Sequence, residues 1–357
     1  MKLIRAGAGA VIIELDAELT LSSEQELLRL IDSLPPGRIN NILLDFNHVD
    51  VMDNTGLNVL VKLNVRARKA HRSLLAIGVN KRYQGIFNLT GLDKAYRVYA
   101  SMAEAFEAVG SMLKPIIKNI MDRTDECTLP GHECWAPLVK KLTVLEMPLE
   151  AINLNVNGRK TAGPIQGFGQ LWEKTYTVDL SDTKLTPEQI ISTLKSNFPI
   201  FQPPQNRFYT SKRGIEPGEV VLINASTPGG MVATGVLVLY SGARTFTFIT
   251  PQGHPEAGWA TFRSFQESGR TIMQVQGLAR ASDPIYEAAF RIAGSSLQQQ
   301  IWTYLLESLA KNTGSSSKVS FNKTLLDESL QWSNFFNIFW NAQIYSILFS
   351  VAHLFRK

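Results

Sequence analysis

Three short stretches of this 357-residue chain bring together side chains that could do chemistry. In "VMDNTGLNVLVKL", Val51 to Leu63, an apolar run meets Asp53, Asn54, Thr55 and Gly56, and apolar residues then recur at helical spacing. Asp, Asn and Thr are helix N-cap residues, whose side-chain oxygens accept from the unpaired N–H groups of a first turn. The positive end of a helix also suits a phosphate or an acidic partner. In "TPQGHPEAGWATF", Thr250 to Phe262, His254 and Glu256 form a histidine–carboxylate pair of the kind used in general acid/base work. The same spacing fits a hairpin turn, with Pro255 fixing φ and Gly253 and Gly258 allowing the bends. Turn architecture is the expected role, a ligand-contacting loop the second, and no catalytic residue is assigned. In "CTLPGHEC", Cys127, His132 and Cys134 are three metal-binding side chains in eight residues. Structural zinc takes four ligands and no second cluster follows, so no metal and no cofactor are expected.

The bulk numbers set the frame for these stretches. The length suits two domains. Hydrophobic content of 45% and charged content of 19% fit a folded protein. A net charge of +5 is too mild to argue for nucleic acid. The densest basic run is Lys62, Arg66, Arg68, Lys69 and Arg72, with Lys62, Arg66 and Lys69 on one helical face. The N-terminus has a basic start and a short apolar run, but Glu14 and Asp16 interrupt it too early for a signal peptide, so a cytoplasmic protein is expected.

Strand and helix signals alternate over residues 10–110. "AVIIEL", "INNILLDF", "SLLAIGV" and "AYRVYAS" read as strands. "SSEQELLRLIDSL", the segment after Gly56, and "KRYQGIFNLTG" read as helices, with another from about Ser101. That order predicts a compact α/β domain. The pieces "ELDAELTLSSEQEL", "INNILLDFNHVDVMDNTGLNVL" and "GIFNLTGLDKAYRVYAS" resemble the STAS domain of anti-sigma factor antagonists. The resemblance implies a small sheet with helices packed on one side. It also implies a function without chemistry: binding an anti-sigma factor or a switch-kinase-like protein, with release on phosphorylation of the loop. Asp53, Asn54, Thr55 and Gly56 are then the partner-binding loop. The family's phosphate acceptor is a serine where this chain has Asn54, which has no hydroxyl. Either the domain is permanently binding-competent, or the switch has moved to Thr55 or been lost. Ala17 and Thr20 stand where the family prefers Gly and Asp.

Residues 111–165 read as a linker broken by prolines and glycines. From residue 166 the order is a strand ("LWEKTYTVDL"), a helix ("TPEQIISTLKSNF", capped by Thr186 with Pro187 at N1) and five hairpin-linked strands. A long helical segment opened by Asp283 and Pro284 follows, ending at Gly314. Carried by "TPQGHPEAGWATF", "GRKTAGPIQGFGQLWEKTY" and "RASDPIYE", residues 150–312 resemble the START-like (SRPBCC) helix-grip superfamily. This implies an α+β fold with an antiparallel sheet gripping a long C-terminal helix, spanning 166–314, and an apolar cavity between them. Alternation nominates Val236, Val238, Tyr240, Phe246, Phe248, Met273, Val275, Tyr286 and Phe290 as its lining. The same residues also describe a plain core.

Residues 315–357 read as a Gly/Ser-rich hinge and an apolar tail helix. No Asp, Glu, Lys or Arg occurs between Ser329 and Phe355, and aromatic residues are dense. Asn334, Asn337, Asn341, Gln343 and Ser346 interrupt the run, so it is a poor membrane span. Docking on its own domain or on a dimer mate is the first expectation, peripheral membrane contact the second. The expected whole is a non-enzymatic regulatory protein in which a STAS module is coupled to a domain for an apolar small molecule or lipid. The alternatives are a helix-grip hydrolase or cyclase with a STAS scaffold, and a pure assembly scaffold that forms a homo-oligomer.

Overall fold

Short β-branched and leucine-rich runs separated by capped helices build the first sheet. In chain order the elements are β1 (Lys2–Arg5), β2 (Ala10–Glu14), β3 (Glu18–Leu19), α1 (Glu24–Asp32), β4 (Asn41–Asp45), β5 (Val51–Met52), α2 (Asn54–Lys69), β6 (Ser73–Ile77), α3 (Lys81–Thr90), β7 (Tyr96–Tyr99) and α4 (Met102–Ala108). This computed structural model describes residues 1–5, 9–108, 132–145, 147–227, 229–293 and 296–354. The chain divides into two units, 1–133 and 134–357.

The five-stranded sheet of the first unit has the order β1-β2-β4-β6-β7, with β2, β4, β6 and β7 parallel and β1 antiparallel at the edge. Parallel strands are buried on both faces, which is why β4 reads as a continuous apolar run. On one face Ile12, Leu43, Leu75 and Ile77 pack under Ala105 and Phe106 of α4. On the other, Tyr96 donates to the Leu60 carbonyl of α2 at 2.6 Å and packs against Phe87 of α3 at 5.9 Å. Helices therefore cover both faces, not one side as the family resemblance implied, because α4 returns behind β6 and β7.

The second unit continues with β8 (Leu171–Asp179), α5 (Pro187–Asn197), β9 (Asn206–Thr210), β10 (Val220–Thr227), β11 (Gly230–Ser241), β12 (Thr245–Ile249), β13 (Glu256–Glu267), β14 (Arg270–Ala281), α6 (Pro284–Ala293), α7 (Ser296–Asn312), β15 (Ser320–Asp327) and α8 (Ala342–Leu354). Its sheet is antiparallel throughout, in the order β15-β8-β14-β13-β12-β11-β10-β9. One face is packed by α5 and α7. Phe198, Phe246, Phe248 and Phe262 meet there with centroids 4.5–6.0 Å apart, and Trp302 closes on Phe262 at 5.3 Å.

Two expected boundaries move. Residues from 134 onward, read as linker, belong to this unit: Ala136 N–H donates to the Leu239 carbonyl, and Trp135 meets Tyr240 edge-on at 4.9 Å. Residues 111–131 of that stretch lie outside the described residues. The expected hinge and tail also join the sheet. β15 pairs antiparallel with β8, its register held by Phe321 stacked on Tyr176 and by Lys323 over the Trp172 ring. Beyond it a 3₁₀ segment, Trp332–Trp340, leads into α8, which lies along β11. Buried Arg280 locks this return by donating to Asp327 and to the carbonyls of Gly169 and Ser329.

The tail is pinned at Asn341, between the 3₁₀ segment and α8. Its Nδ2 donates to Asp283 Oδ2 at 2.8 Å, and Asp283 Oδ1 accepts from Ile285 and Tyr286 N–H at the start of α6. Both residues are fully buried. Asn341→Ala leaves a buried carboxylate oxygen without its donor, at a cost of about 1–3 kcal/mol. Amide hydrogen exchange across residues 342–352 is expected to speed by about tenfold or more; unchanged exchange there would show that the bond does not hold the tail.

Candidate functional site

The Asp53–Gly56 turn is the N-terminus of α2. Asp53 is extended (φ −93°, ψ 178°) and its Oδ1 accepts from Thr55 N–H at 2.9 Å, Gly56 N–H at 3.0 Å and the Thr55 hydroxyl at 2.6 Å. The Thr55 oxygen in turn accepts from Leu21 N–H at 2.8 Å. One hydroxyl thus ties the first turn of α2 to the segment ahead of α1. Gly56 permits the closeness: a Cβ there would stand 2.4 Å from the Leu19 carbonyl oxygen. Asn54 is fully buried and Thr55 only 5% exposed. The acceptor expected at Thr55 is therefore closed to a kinase in this conformation, its hydroxyl used as donor and as acceptor.

The neighbouring basic run is largely spent on packing. Lys62 bonds Glu24 at 2.8 Å and Arg66 pairs with Asp32, which joins α2 to α1. Buried Arg72 donates to the carbonyls of Ile31 and Leu34, where the end of α1 leaves backbone acceptors over. The sequence showed the charges but not that α1 supplies their partners.

In the second unit the expected cavity residues do not line one cavity. Val238, Phe246, Phe248 and Met273 are packed into the core under α5 and α7, with Val236 and Val275. A β-bulge between Val238 and Tyr240 breaks the alternation and turns Tyr240 to the opposite face, against Trp135. Tyr286 and Phe290 stack on each other along α6, and the Tyr286 hydroxyl accepts from Gln343 N–H of the tail. A solvent-open groove of about 480 Å³ runs instead past α5, lined by Ile191, Lys195, Arg213 and Glu216 among others.

His254 and Glu256 do not form a side-chain dyad. His254 Nδ1 lies 3.1 Å from Glu256 N and 3.0 Å from Glu256 O, so the ring closes its own turn. The Glu256 carboxylate points to Lys174 and Gln298. Gly253 is left-handed (φ 87°), and a Cβ there would collide with the Trp340 carbonyl oxygen. This joint also receives the tail, since Ala342 N–H donates to the Gly253 carbonyl.

Sequence reasoning missed the polar end of the helix-side core. Lys174 of β8, Glu256 at the head of β13 and Gln298 of α7 hydrogen-bond as a trio, with Lys174 8% exposed. Nearby, the Tyr176 hydroxyl and Trp302 Nε1 are buried without a hydrogen-bond partner among the described residues. Burial and the Glu256 charge push the Tyr176 phenol far above its ordinary value, so it is a neutral donor. Alternation along "LWEKTYTVDL" puts Lys174 and Tyr176 on one face, the one signal available in sequence. Among the described residues no three His, Cys, Asp or Glu side chains converge on a metal site. Cys127 lies outside the described residues.

Two outcomes are expected. Thr55→Val removes both bonds of a buried hydroxyl and should destabilise the first unit by about 1–3 kcal/mol, read as faster amide exchange at residues 19–22 and 54–57. Unchanged exchange would make the hydroxyl dispensable. Burial holds the His254 imidazole below its ordinary value, against the opposing pull of Glu256. The unfolded chain therefore binds the proton more readily, and stability falls as pH drops through about 6.5, levelling once the folded-state value is passed. His254→Asn should flatten that part of the melting-temperature profile; an unaltered slope would assign it to other groups.

Residues 3–105 match the family model of the STAS domain. Solved structures similar to the chain include a sulfate transporter family protein from Wolinella succinogenes, 23% identical over 30% of this chain and 89% of that one, with a TM-score of 0.28. The anti-sigma factor antagonist SpoIIAA in its unphosphorylated form is 15% identical, over 30% of this chain and 96% of that one, TM-score 0.26. The Bacillus cell fate determinant SpoIIAA in its phosphorylated form is 18% identical over 30% and 97%, TM-score 0.26. No curated protein matches the chain. With the matched residues spanning β1 to α4 and the Asp53–Gly56 turn at their centre, the N-terminal unit is a STAS domain.

Proposed function

We propose that the chain is a non-enzymatic regulatory protein. Its STAS domain binds a protein partner in the manner of an anti-sigma factor antagonist, and its second unit is a START-like, helix-grip domain for an apolar small molecule with a polar head. The observation that carries the first part is the closed turn at Asp53–Gly56. Asn54 offers no hydroxyl and the Thr55 hydroxyl is bonded at both ends, so the turn is fixed in conformation, and the domain stands in one binding-competent state. An anti-sigma factor or a switch-kinase-like protein is the proposed partner class.

For the second unit, β8 followed by β9 to β14 gives the strand order 1-7-6-5-4-3-2 once β15 is set aside, with a long helix, α7, against the sheet; this supports the helix-grip reading. The Tyr176 phenol, the Trp302 indole N–H and the Lys174–Glu256–Gln298 trio supply the few polar groups that fix an otherwise apolar ligand. A ligand that prefers one arrangement of the domain would shift the population presented to the partner. The rival reading, a helix-grip hydrolase, needs a convergent acid and base, and the His254 ring is turned to the Glu256 backbone rather than to the Glu256 carboxylate.

Native mass spectrometry of the full chain, paired with melting of Tyr176→Phe, tests this. If a ligand uses the phenol, the wild type carries an adduct, and the variant loses it and melts lower. If the core is simply filled, the wild type is empty and the variant melts as high or higher, because an unpaired buried hydroxyl has been removed. That result would sink the ligand-binding part.

A further inference from the structure

The tail is inside out relative to an ordinary surface helix, which turns its apolar side inward. Its amides face the domain. Asn334 Nδ2 donates to the carbonyls of Ile165 and Gly167, Asn337 Nδ2 to those of Gln166 and Ser282, and Gln343 Nε2 to those of Gly229 and Met231. Buried Ser346 accepts from Ala233 N–H. In a 3₁₀ helix residues i and i+3 eclipse, so Asn334 and Asn337 form one inward row and the aromatics form the outward rows. Phe336 and Phe339 stack in this way at 6.2 Å. Outward stand Trp332, Phe336, Phe339, Trp340, Tyr345 and Leu348, each between 40% and 68% exposed.

We propose that this face seats in the interfacial zone of an anionic lipid membrane. The argument is charge and ring chemistry together. Tryptophan and tyrosine favour the boundary between headgroups and acyl chains. No carboxylate occurs from Ser329 to Phe355. A cation lies against the face. The Arg159 guanidinium lies 4.6 Å from the Trp340 ring and 5.3 Å from that of Tyr345. Exposed Lys160 follows it, and exposed Lys141 precedes Leu142, whose N–H donates to the Arg159 carbonyl. Cations beside an aromatic face suit a negative lipid surface. A second copy suits it less: an isologous contact sets the same patch on both sides, and the tail from Ser329 to Phe355 has no carboxylate to receive a cation of its mate.

The segment lies on the membrane and does not cross it. Trp332–Ala352 is long and apolar enough to span by composition. Yet it is broken at Asn341, whose side chain is committed to buried Asp283, and α8 is held flat along β11. Crossing would strip every amide anchor from its carbonyl.

The test is vesicle flotation of the full-length chain. Phosphatidylcholine vesicles are compared with vesicles in which part of that lipid is replaced by phosphatidylglycerol, at low and high salt. The wild type should float with the anionic vesicles and be released in large part by salt. Phe336→Ser with Phe339→Ser, both on exposed positions, should lower the bound fraction at least tenfold while leaving the melting temperature unchanged. A wild type that floats no better than this double variant overturns the proposal. So does a wild type that stays soluble as an oligomer which the double variant dissolves, since the face then belongs to a second copy.

Discussion

The second unit depends on the buried bond between Asp283 and Asn341. Burial pushes the Asp283 carboxyl above its ordinary range, and the N–H groups of Ile285 and Tyr286 and the Asn341 amide pull against that. With three donors the carboxylate is satisfied, and a buried charge left without them would be costly. The bond joins the end of β14, the start of α6 and the break in the tail. Because Asn341 is fixed inward, the 3₁₀ row before it and the helix after it are fixed in phase. Asn334, Asn337, Gln343 and Ser346 then fall on carbonyls and amides of the domain, and the aromatic rows have nowhere to go but out.

The same constraint accounts for the layering. An antiparallel sheet with a packed core on one face can leave the other wet, provided that face is polar. Here the second face carries buried Leu222, Leu237, Ile249, Trp259 and Leu278, so it must be covered. The chain covers it from both ends of the unit: the segment from Trp135 to Gly167, and the return through β15 to α8. Asn155 joins the two by donating to the Ala233 carbonyl of β11 at 2.8 Å and, more weakly, to that of Ala342 at 3.3 Å. A helix-grip reading of the sequence ended the domain at Gly314, yet the sheet needs the forty residues that follow.

What was legible in the sequence follows from where the physics is local. The capped helices read correctly: Thr186 with Gln189 forms a capping box, Asp53 caps α2, and Gly91 ends α3 in the left-handed conformation. The long meander strands β10 to β14 carried enough alternation and turn signals. β9 sits between prolines and is five residues long, so its turn residues outweighed it. β15, "SFNKTLLD", is an edge strand exposed along nearly its whole length, and exposure removes the alternation by which strands are recognised. The tail amides were read as interruptions of an apolar segment. They are its anchors, and their partners are backbone carbonyls, which no side-chain pattern can announce. The α2 turn starts where its cap residues placed it, but its burial was not legible, because it depends on Leu19 and Leu21 more than thirty residues away. The cavity list failed at the Val238–Tyr240 bulge, a one-residue shift that moves a side chain to the other face.

The cations show how far a formal charge is from a surface. In the first unit Lys62 and Arg66 of the dense basic run pair with α1, and Arg72 closes its carboxyl end. In the second, Arg280 is buried against Asp327: burial raises that carboxyl, but the bonds from Arg280 and Ser329 and the Arg280 charge together hold it below the usual carboxylate range. A planar, always-charged fork suits both arginines, since each must satisfy several acceptors at once. Arg159, which lies against the aromatic face, and exposed Lys141 and Lys160 sit in residues 111–165, which read as a linker. A count of basic residues along the chain therefore points to α2, while the packing points to the sheet face that the tail covers.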